Sequence, residues 1–245
     1  MTDSNPDKQS SHKDICHELE AHFKIIQSCS IETDGGERIL LAARPESRYP
    51  YFYPRDSACA SGLLAYLSTS DLSFADDAYK LLKSIAYFVL KVLRDDGYIG
   101  QRYALSREEK SVYKQEDNNA HGLIILSNYL LTAEARGENI QDIDKFLLSI
   151  NSASQFAIKN YYRPEINLFH STTSIHESAL EEGFSCWTNF AYLKAFTLVS
   201  RVNDDLDAPD IIPDKILTFK SAFKHNLFSI MVSNKRFLRR IDKRG

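Results

Sequence analysis

Tyr49-Pro50-Tyr51-Phe52-Tyr53-Pro54-Arg55-Asp56 is the stretch on which the reading of this chain turns. Four aromatics, two prolines and an Arg-Asp pair crowd into eight residues just ahead of a helical pattern. Two later stretches echo it: Gln115-Glu116-Asp117-Asn118-Asn119, and Ser174-Ile175-His176-Glu177 with Glu181 and Glu182 after it. Asp56 and Asp117 are 61 residues apart, and Asp117 and Glu177 are 60 apart. Each of these acids stands where a polar loop gives way to an apolar helix. The interval therefore predicts a repeated helical unit that carries its polar chemistry at the same end each time.

Working outward, Ser11-x-x-Asp14 reads as a capping box, with Ile15, Leu19, Phe23 and Ile26 on one face of a helix that runs to about residue 28. Asp34-Gly35-Gly36 then supplies the residue types a hairpin turn requires, so a small β-hairpin is expected near residues 30–42. Leu63, Leu64 and Leu67 mark a second helix from Asp56. Ala78, Leu81, Leu82, Ile85, Val89 and Val92 mark a third, stopped by Asp95-Asp96-Gly97. Residues 98–118 show no periodicity, and a loop of that length in a compact domain tends to be functional. A fourth helix opens at Asn119 and ends at Gly137, and a fifth carries Ile143, Phe146, Leu147, Ile150 and Ala157 on one face. Residues 165–183 form a second long loop. The sixth helix, over residues 186–202, is apolar around much of its circumference and should be buried on more than one side. Ile216, Phe219, Phe223 and Leu227 mark a seventh, and the basic stretch after residue 233 reads as irregular.

Helices thus come in pairs joined alternately by short and long connections. The fold class this predicts is all-α, a toroid of helical hairpins with a small β-hairpin near its start. Residues 1–10 are expected to be a disordered polar tail, and residues 11–245 one partial toroidal domain. If helices two, four and six are the inner helices, all three long loops fall on one rim.

Composition narrows the function classes. With 43% hydrophobic residues the chain can bury a large core, and a formal charge of −3 gives no reason to expect a nucleic-acid partner. No run approaches the ~18 apolar residues of a membrane span, and residues 1–10 lack the apolar segment of a secretory signal, so a cytoplasmic location is expected. The four cysteines are widely spaced, without C-x-x-C, and read as small core residues. Nothing asks for a metal or an organic cofactor.

The chemistry sits in the three loops. Aromatic faces at Tyr49, Tyr51, Phe52 and Tyr53 suit the C–H face of a pyranose, while Arg55 and Asp56 suit vicinal hydroxyls. A structural salt bridge under an aromatic cluster explains the same residues, and both readings stand. Gln115, Glu116 and Asp117 fit hydroxyl recognition, although Asp and Asn at a helix start more often act as caps. Glu177 and Glu181 would share a face within one helical turn, where mutual repulsion raises a carboxyl pKa toward that of a general acid. Glu182 reads as a charged residue at a helix start. His176 is a candidate for substrate contact, Trp187 reads as core or as a sugar platform with core the simpler reading, and Arg102 is a further candidate in the preceding loop.

Together these motifs resemble glucoamylase-type glycoside hydrolases, the family of glucoamylases and glucodextranases. Tyr53-Pro54-Arg55-Asp56-Ser57-Ala58 is similar to the family's tryptophan-x-Arg-Asp-x-Ala stretch. Gln115-Glu116-Asp117 is similar to its Gln-x-Asp loop, Ile175-His176-Glu177 to its acid-bearing loop, and Arg236-Phe237-Leu238-Arg239 to its Arg-Phe-x-Arg stretch. The resemblance implies an (α/α)6 barrel and inverting hydrolysis of terminal α-glucosyl residues from α-glucans or oligosaccharides. It implies that Arg55 and Asp56 bind the terminal glucose and that Glu177 is the general acid, with Glu181 as the acid if Glu181-Glu182 is taken as the family's carboxylate pair. Departures are Tyr53 and His176 where the family has Trp, and Ser178 where it has its second Glu. Six hairpins of this length need on the order of 360 residues. The toroid is therefore expected to be incomplete, its general base to lie outside this chain, and its open flank to be covered by a second copy or a complementing chain. The rival reading is a non-catalytic carbohydrate-binding or regulatory protein on the same fold.

Overall fold

The computed structural model of the 245-residue chain describes residues 6–33, 36–173, 180–206, 208, 214–233, 236–238 and 240–241. The described residues are mostly helical and form an incomplete toroid, with no closed barrel among them. Helix α1 (Pro6–Ser28) leads into a hairpin of β1 (Ser30–Glu32) and β2 (Arg38–Leu40), paired antiparallel with Ile31 opposite Ile39. Three helical pairs follow: α2 (Pro54–Ser68) with α3 (Ala75–Val92), α4 (Asn118–Ala135) with α5 (Ile143–Asn160), and α6 (Cys186–Asp205) with α7 (Asp214–Met231). No described helix is long and apolar enough to cross a membrane.

The layers follow from the sequence patterns. α3 and α5 each bury one apolar face, Leu82, Ile85 and Val89 on the first and Phe146, Leu147 and Ile150 on the second. They lie outside, against α2 and α4. Helix α4 packs against α2, α3, α5 and α6, and 15 of its 18 residues are buried, so it is the axis of the described structure. α6 packs against α4 on one side and α7 on another, as expected of an apolar helix. Aromatic packing joins the layers, with Tyr129 of α4 against Tyr79 and Tyr87 of α3 and Phe146 of α5.

α2 and α4 run parallel. Arg55 meets Asp117 at their starts, Ser61 meets Asn128 midway, and Arg136, just past α4, reaches the Ser68 carbonyl at the end of α2. Parallel inner helices need return helices between them, which is what α3 and α5 provide. The return into α4 is fixed by Asn119, whose amide donates to the Gly97 carbonyl at 2.6 Å and accepts from the Ile99 N–H at 3.4 Å. Gly97 has φ +89°, and a Cβ there would run into the Ser152 carbonyl, so only glycine fits this crossing.

Three expectations need correction. α1 starts at Pro6, so residues 6–10 of the polar tail are helical; proline needs no amide donor in the first turn and starts the helix ahead of the Ser11 box. The second long loop carries short strands: β3 (Tyr162–Arg163) with β4 (Leu168–Phe169), and β5 (Ser171–Thr173) with β6 (Leu180–Ser185). Parts of the basic C-terminal stretch also form short strands. β7 (Val232–Ser233) pairs with β8 (Arg236–Phe237), and β9 (Arg240–Ile241) joins β6 with Ser185 opposite Arg240. Most of these strands are two or three residues long, and Glu181-Glu182-Gly183 interrupts the alternation of the longer β6, so no period can be read.

Candidate functional site

The three inner helices start at one place. Pro54 sits in the first turn of α2, where its missing N–H costs nothing, and leaves Arg55 and Asp56 in that turn. Asp117 is the residue before α4, and Ser185, whose hydroxyl accepts from the Thr188 N–H at 3.5 Å, caps α6 two residues ahead of Trp187. The positive ends of three helix dipoles thus converge, and negative charge is favoured where they meet.

Asp117 occupies that point. It is 3% exposed, and Arg55 Nη2 lies 3.2 Å from its Oδ1 and 3.0 Å from its Oδ2. The Trp187 indole donates to Oδ2 at 2.9 Å, and His121 Nε2 lies 3.2 Å from the same oxygen. Burial alone would raise the carboxyl pKa, but the hydrogen bond and charge of His121, the Arg55 guanidinium and the Trp187 N–H outweigh it and hold it well below the usual carboxylate range. A group so strongly acidic is a fixed anion, unsuited to donating a proton near neutral pH. Its chemical role is to orient three donors, of which Arg55 and Trp187 reach the surface of a cavity.

That cavity, of about 390 Å³, is lined by Arg55, Asp56, Cys59 and Trp187 together with apolar residues from the end of α1 and from the strand β2 and just after it. Asp56 is exposed beside it, and Trp187 is 39% exposed. An exposed carboxylate, a guanidinium edge and an indole face around a space of this size match the donors and stacking surface that a hydroxylated ring requires.

The other sequence candidates fall into distinct positions. Asp117 does no capping with its side chain, against the local expectation, because the carboxylate is committed to Arg55, 62 residues away. The Arg55 guanidinium forms an ion pair with Asp117. Trp187 is not a core residue; α6 presents it at the cavity. Gln115 and Glu116 are buried, and Glu116 Oε1 accepts from the Thr172 hydroxyl at 2.5 Å, which ties α4 to β5. Tyr53 is buried too, with Arg102 Nη1 donating to its hydroxyl at 3.1 Å while the guanidinium covers the Tyr51 ring at 4.7 Å. Tyr53 and Arg102 therefore clasp the loop over residues 93–117 to the start of α2.

The acid-bearing loop is described in part. His176 and Glu177 lie outside the described residues. Glu181 belongs to β6, so the helical turn expected to bring it onto one face with Glu177 does not include it; pairing with β5 and β9 holds that backbone extended. Glu182 is in the same strand and not in the first turn of a helix, with His170 Nε2 3.6 Å from its Oε1. Arg236 is exposed on β8 and makes no described contact with the Arg55–Asp117 cluster. Arg240 instead reaches β5 and β6, its Nε donating to the Glu182 carbonyl at 3.2 Å and its Nη2 to the Ser171 carbonyl at 3.4 Å. His121 was missed in the sequence, although its place four residues after Asp117 puts both on one face of α4.

No family model matches this chain, and no curated protein matches it. Solved structures do. One described as "Glycosidase Wild Type" superposes with a TM-score of 0.63 at 17% identity, over 92% of this chain and 60% of that one. A variant described as a glycosidase in complex with glucose superposes equally well, with a TM-score of 0.63 at 17% identity over the same shares. The fold is therefore that of these glycosidases, and the chain spans 60% of their length.

Proposed function

We propose that this chain forms the glycosyl-binding part of a glucoamylase-like glycoside hydrolase that releases terminal α-glucosyl residues from α-glucans or oligosaccharides with inversion, in the cytoplasm. The observation that carries the reading is the convergence of Arg55, Asp56, Asp117 and Trp187 at the starts of α2, α4 and α6, beside a cavity large enough for one pyranose. The glycosidase-like fold supports it. In the reaction Asp56 accepts hydrogen bonds from sugar hydroxyls, Arg55 donates to them, and Asp117 keeps Arg55 and the Trp187 ring in place. The proton for the leaving oxygen comes from Glu177 or Glu181, and inversion needs a second carboxylate roughly 6.5–9.5 Å from it to activate water. We assign that base to a segment or partner chain that closes the open ring.

A non-catalytic sugar-binding protein on the same fold is the second reading, favoured by the commitment of Asp117, the best-placed buried carboxylate, to Arg55, Trp187 and His121. The two readings share binding and differ in turnover. Glucose release from maltose and isomaltose, followed by NMR of the first anomer formed, separates them. Release of β-glucose that disappears in either Glu177→Gln or Glu181→Gln establishes hydrolysis with inversion. Sugar binding without release, with and without candidate complementing chains, establishes the binding protein.

A further inference from the structure

The outer helices α3 and α5 return toward the starts of α4 and α6, so their last turns lie at the same end of the toroid as the rim cavity. At that end, on the outer side, a groove of about 470 Å³ runs between the loop over residues 93–117 and Phe156 of α5, and it shares no lining residue with the rim cavity. Arg94, Asp96, Glu109, Val112 and Lys114 are exposed along it, so the groove is open to solvent. Its backbone is nevertheless fixed. Tyr98 stands between Gly97 and Ile99, both held by Asn119, and its own N–H donates to Asp96 Oδ1 at 3.0 Å. On the facing wall the buried Gln101 accepts from the Val112 N–H at 2.8 Å, and its N–H donates to the Ser111 hydroxyl at 2.8 Å. The Glu109 carboxyl fills the space that a Cβ on Gly100 would need, which sets it against the loop. Into this fixed frame three groups bring unused hydrogen-bonding capacity. The Glu109 carboxylate and the hydroxyls of Tyr98 and Tyr113 have no hydrogen-bond partner among the described residues.

We propose that this groove is a second binding site, separate from the rim cavity, which holds a stretch of a neutral oligosaccharide chain and takes no part in bond cleavage. Charge decides against ionic ligands, because Arg94 and Lys114 balance Asp96 and Glu109. A purely apolar ligand would strip water from a carboxylate and two hydroxyls without replacing it. A chain of hydroxylated rings satisfies both conditions. Its hydroxyls donate to Glu109 and accept from the tyrosines, while its C–H faces pack on the Tyr113 ring, which has no described ring or cation partner. The choice of an α-glucan as that chain rests on the sugar-site reading; the groove's own chemistry does not. Lying at the rim end, the groove would keep a long glucan on the face where its termini are bound. With few contacts to each ring, it holds maltose too weakly to register and gains as further rings are added.

The test is calorimetric titration with maltose and maltoheptaose of the native chain, of Asp56→Asn, and of Asp56→Asn carrying either Tyr113→Ala or Glu109→Gln. Neither Tyr113 nor Glu109 makes a side-chain hydrogen bond among the described residues, so both substitutions should leave the circular dichroism unchanged. Asp56→Asn, which removes the rim site, should still bind maltoheptaose while showing no binding of maltose. Either added substitution should weaken maltoheptaose at least fivefold, and in the native background both should leave maltose affinity within twofold. Failure of Asp56→Asn to bind maltoheptaose, or binding that survives both substitutions, overturns the inference and leaves the rim site standing. Maltose bound equally by the native chain and Asp56→Asn, or by neither, overturns the rim reading instead. The groove then stands if Tyr113→Ala and Glu109→Gln weaken maltoheptaose, and falls if they do not.

Discussion

The two ends of the α2–α4 pair make an instructive contrast, because each is tied by an arginine. At the start, Arg55 of α2 pairs with the buried Asp117; at the finish, Arg136 reaches back to Asp76 at 2.6 Å and to the Ser68 carbonyl, with its guanidinium 4.7 Å from the Tyr79 ring. Both arrangements obey the helix dipole, with an anion at the helix starts and a cation at the ends. Yet Asp76 is largely exposed, and Arg136 leads to no described cavity, whereas Asp117 is enclosed by three donors beside one. An arginine that ties two helices is thus no sign of function by itself. What sets the first end apart is a buried anion that holds its donors toward open space, with Asp56 and Trp187 at the edge.

The contrast breaks first on stability. Asp117→Ala strands Arg55 and His121 without their shared acceptor and is expected to cost about 3–5 kcal/mol. Arg136→Ala removes a screened ion pair and one carbonyl bond, and is expected to cost about 1–2 kcal/mol. Urea unfolding of both variants measures the gap, and equal losses would erase the distinction. The acid dependence sharpens it. Because the folded Asp117 carboxyl sits well below its unfolded value of about 3.9, its contribution is complete above roughly pH 5 and is lost as pH falls through that unfolded value toward the folded one. Stability curves should therefore drop below pH 4 in the native chain and drop less in Asp117→Asn.

Asp56→Asn is the functional counterpart. Asparagine keeps the shape of this exposed first-turn residue, so the unfolding free energy should change by less than about 1 kcal/mol, while sugar affinity falls beyond detection. The smallest effect is a gain: Gly62→Ala should stabilise the fold by about 0.5–1 kcal/mol in the same unfolding assay, because alanine fits the helix and meets nothing.

The helical scaffold was legible because its signals are local. Leu82, Ile85 and Val89 recur at helical spacing, and Pro54 and Gly137 sit at helix boundaries where the chain changes direction. The 60-residue interval was legible for the same reason, since each interval starts a helix. The site was legible only in part. Asp117 looked like a cap because its partner Arg55 is 62 residues away, and Trp187 looked like core because Phe190, Ala191 and Leu198 around it are apolar. Nothing within α6 shows that its first turn ends at a cavity built by two other helices. The β5–β6–β9 sheet was hidden because β5 pairs with β6, and Phe184 and Ser185 of β6 pair with Ile241 and Arg240 from far along the chain, so the order comes from pairing and not from a periodic signal within each strand.

The central claim is that the rim at the helix starts, and not the opposite end, binds a glucosyl group. Isothermal calorimetry with maltose on the native chain, Asp56→Asn and Arg136→Ala tests it most directly. The account predicts binding to the native chain, binding retained in Arg136→Ala and binding lost in a folded Asp56→Asn. Maltose bound equally by all three, or lost only with Arg136, would contradict it.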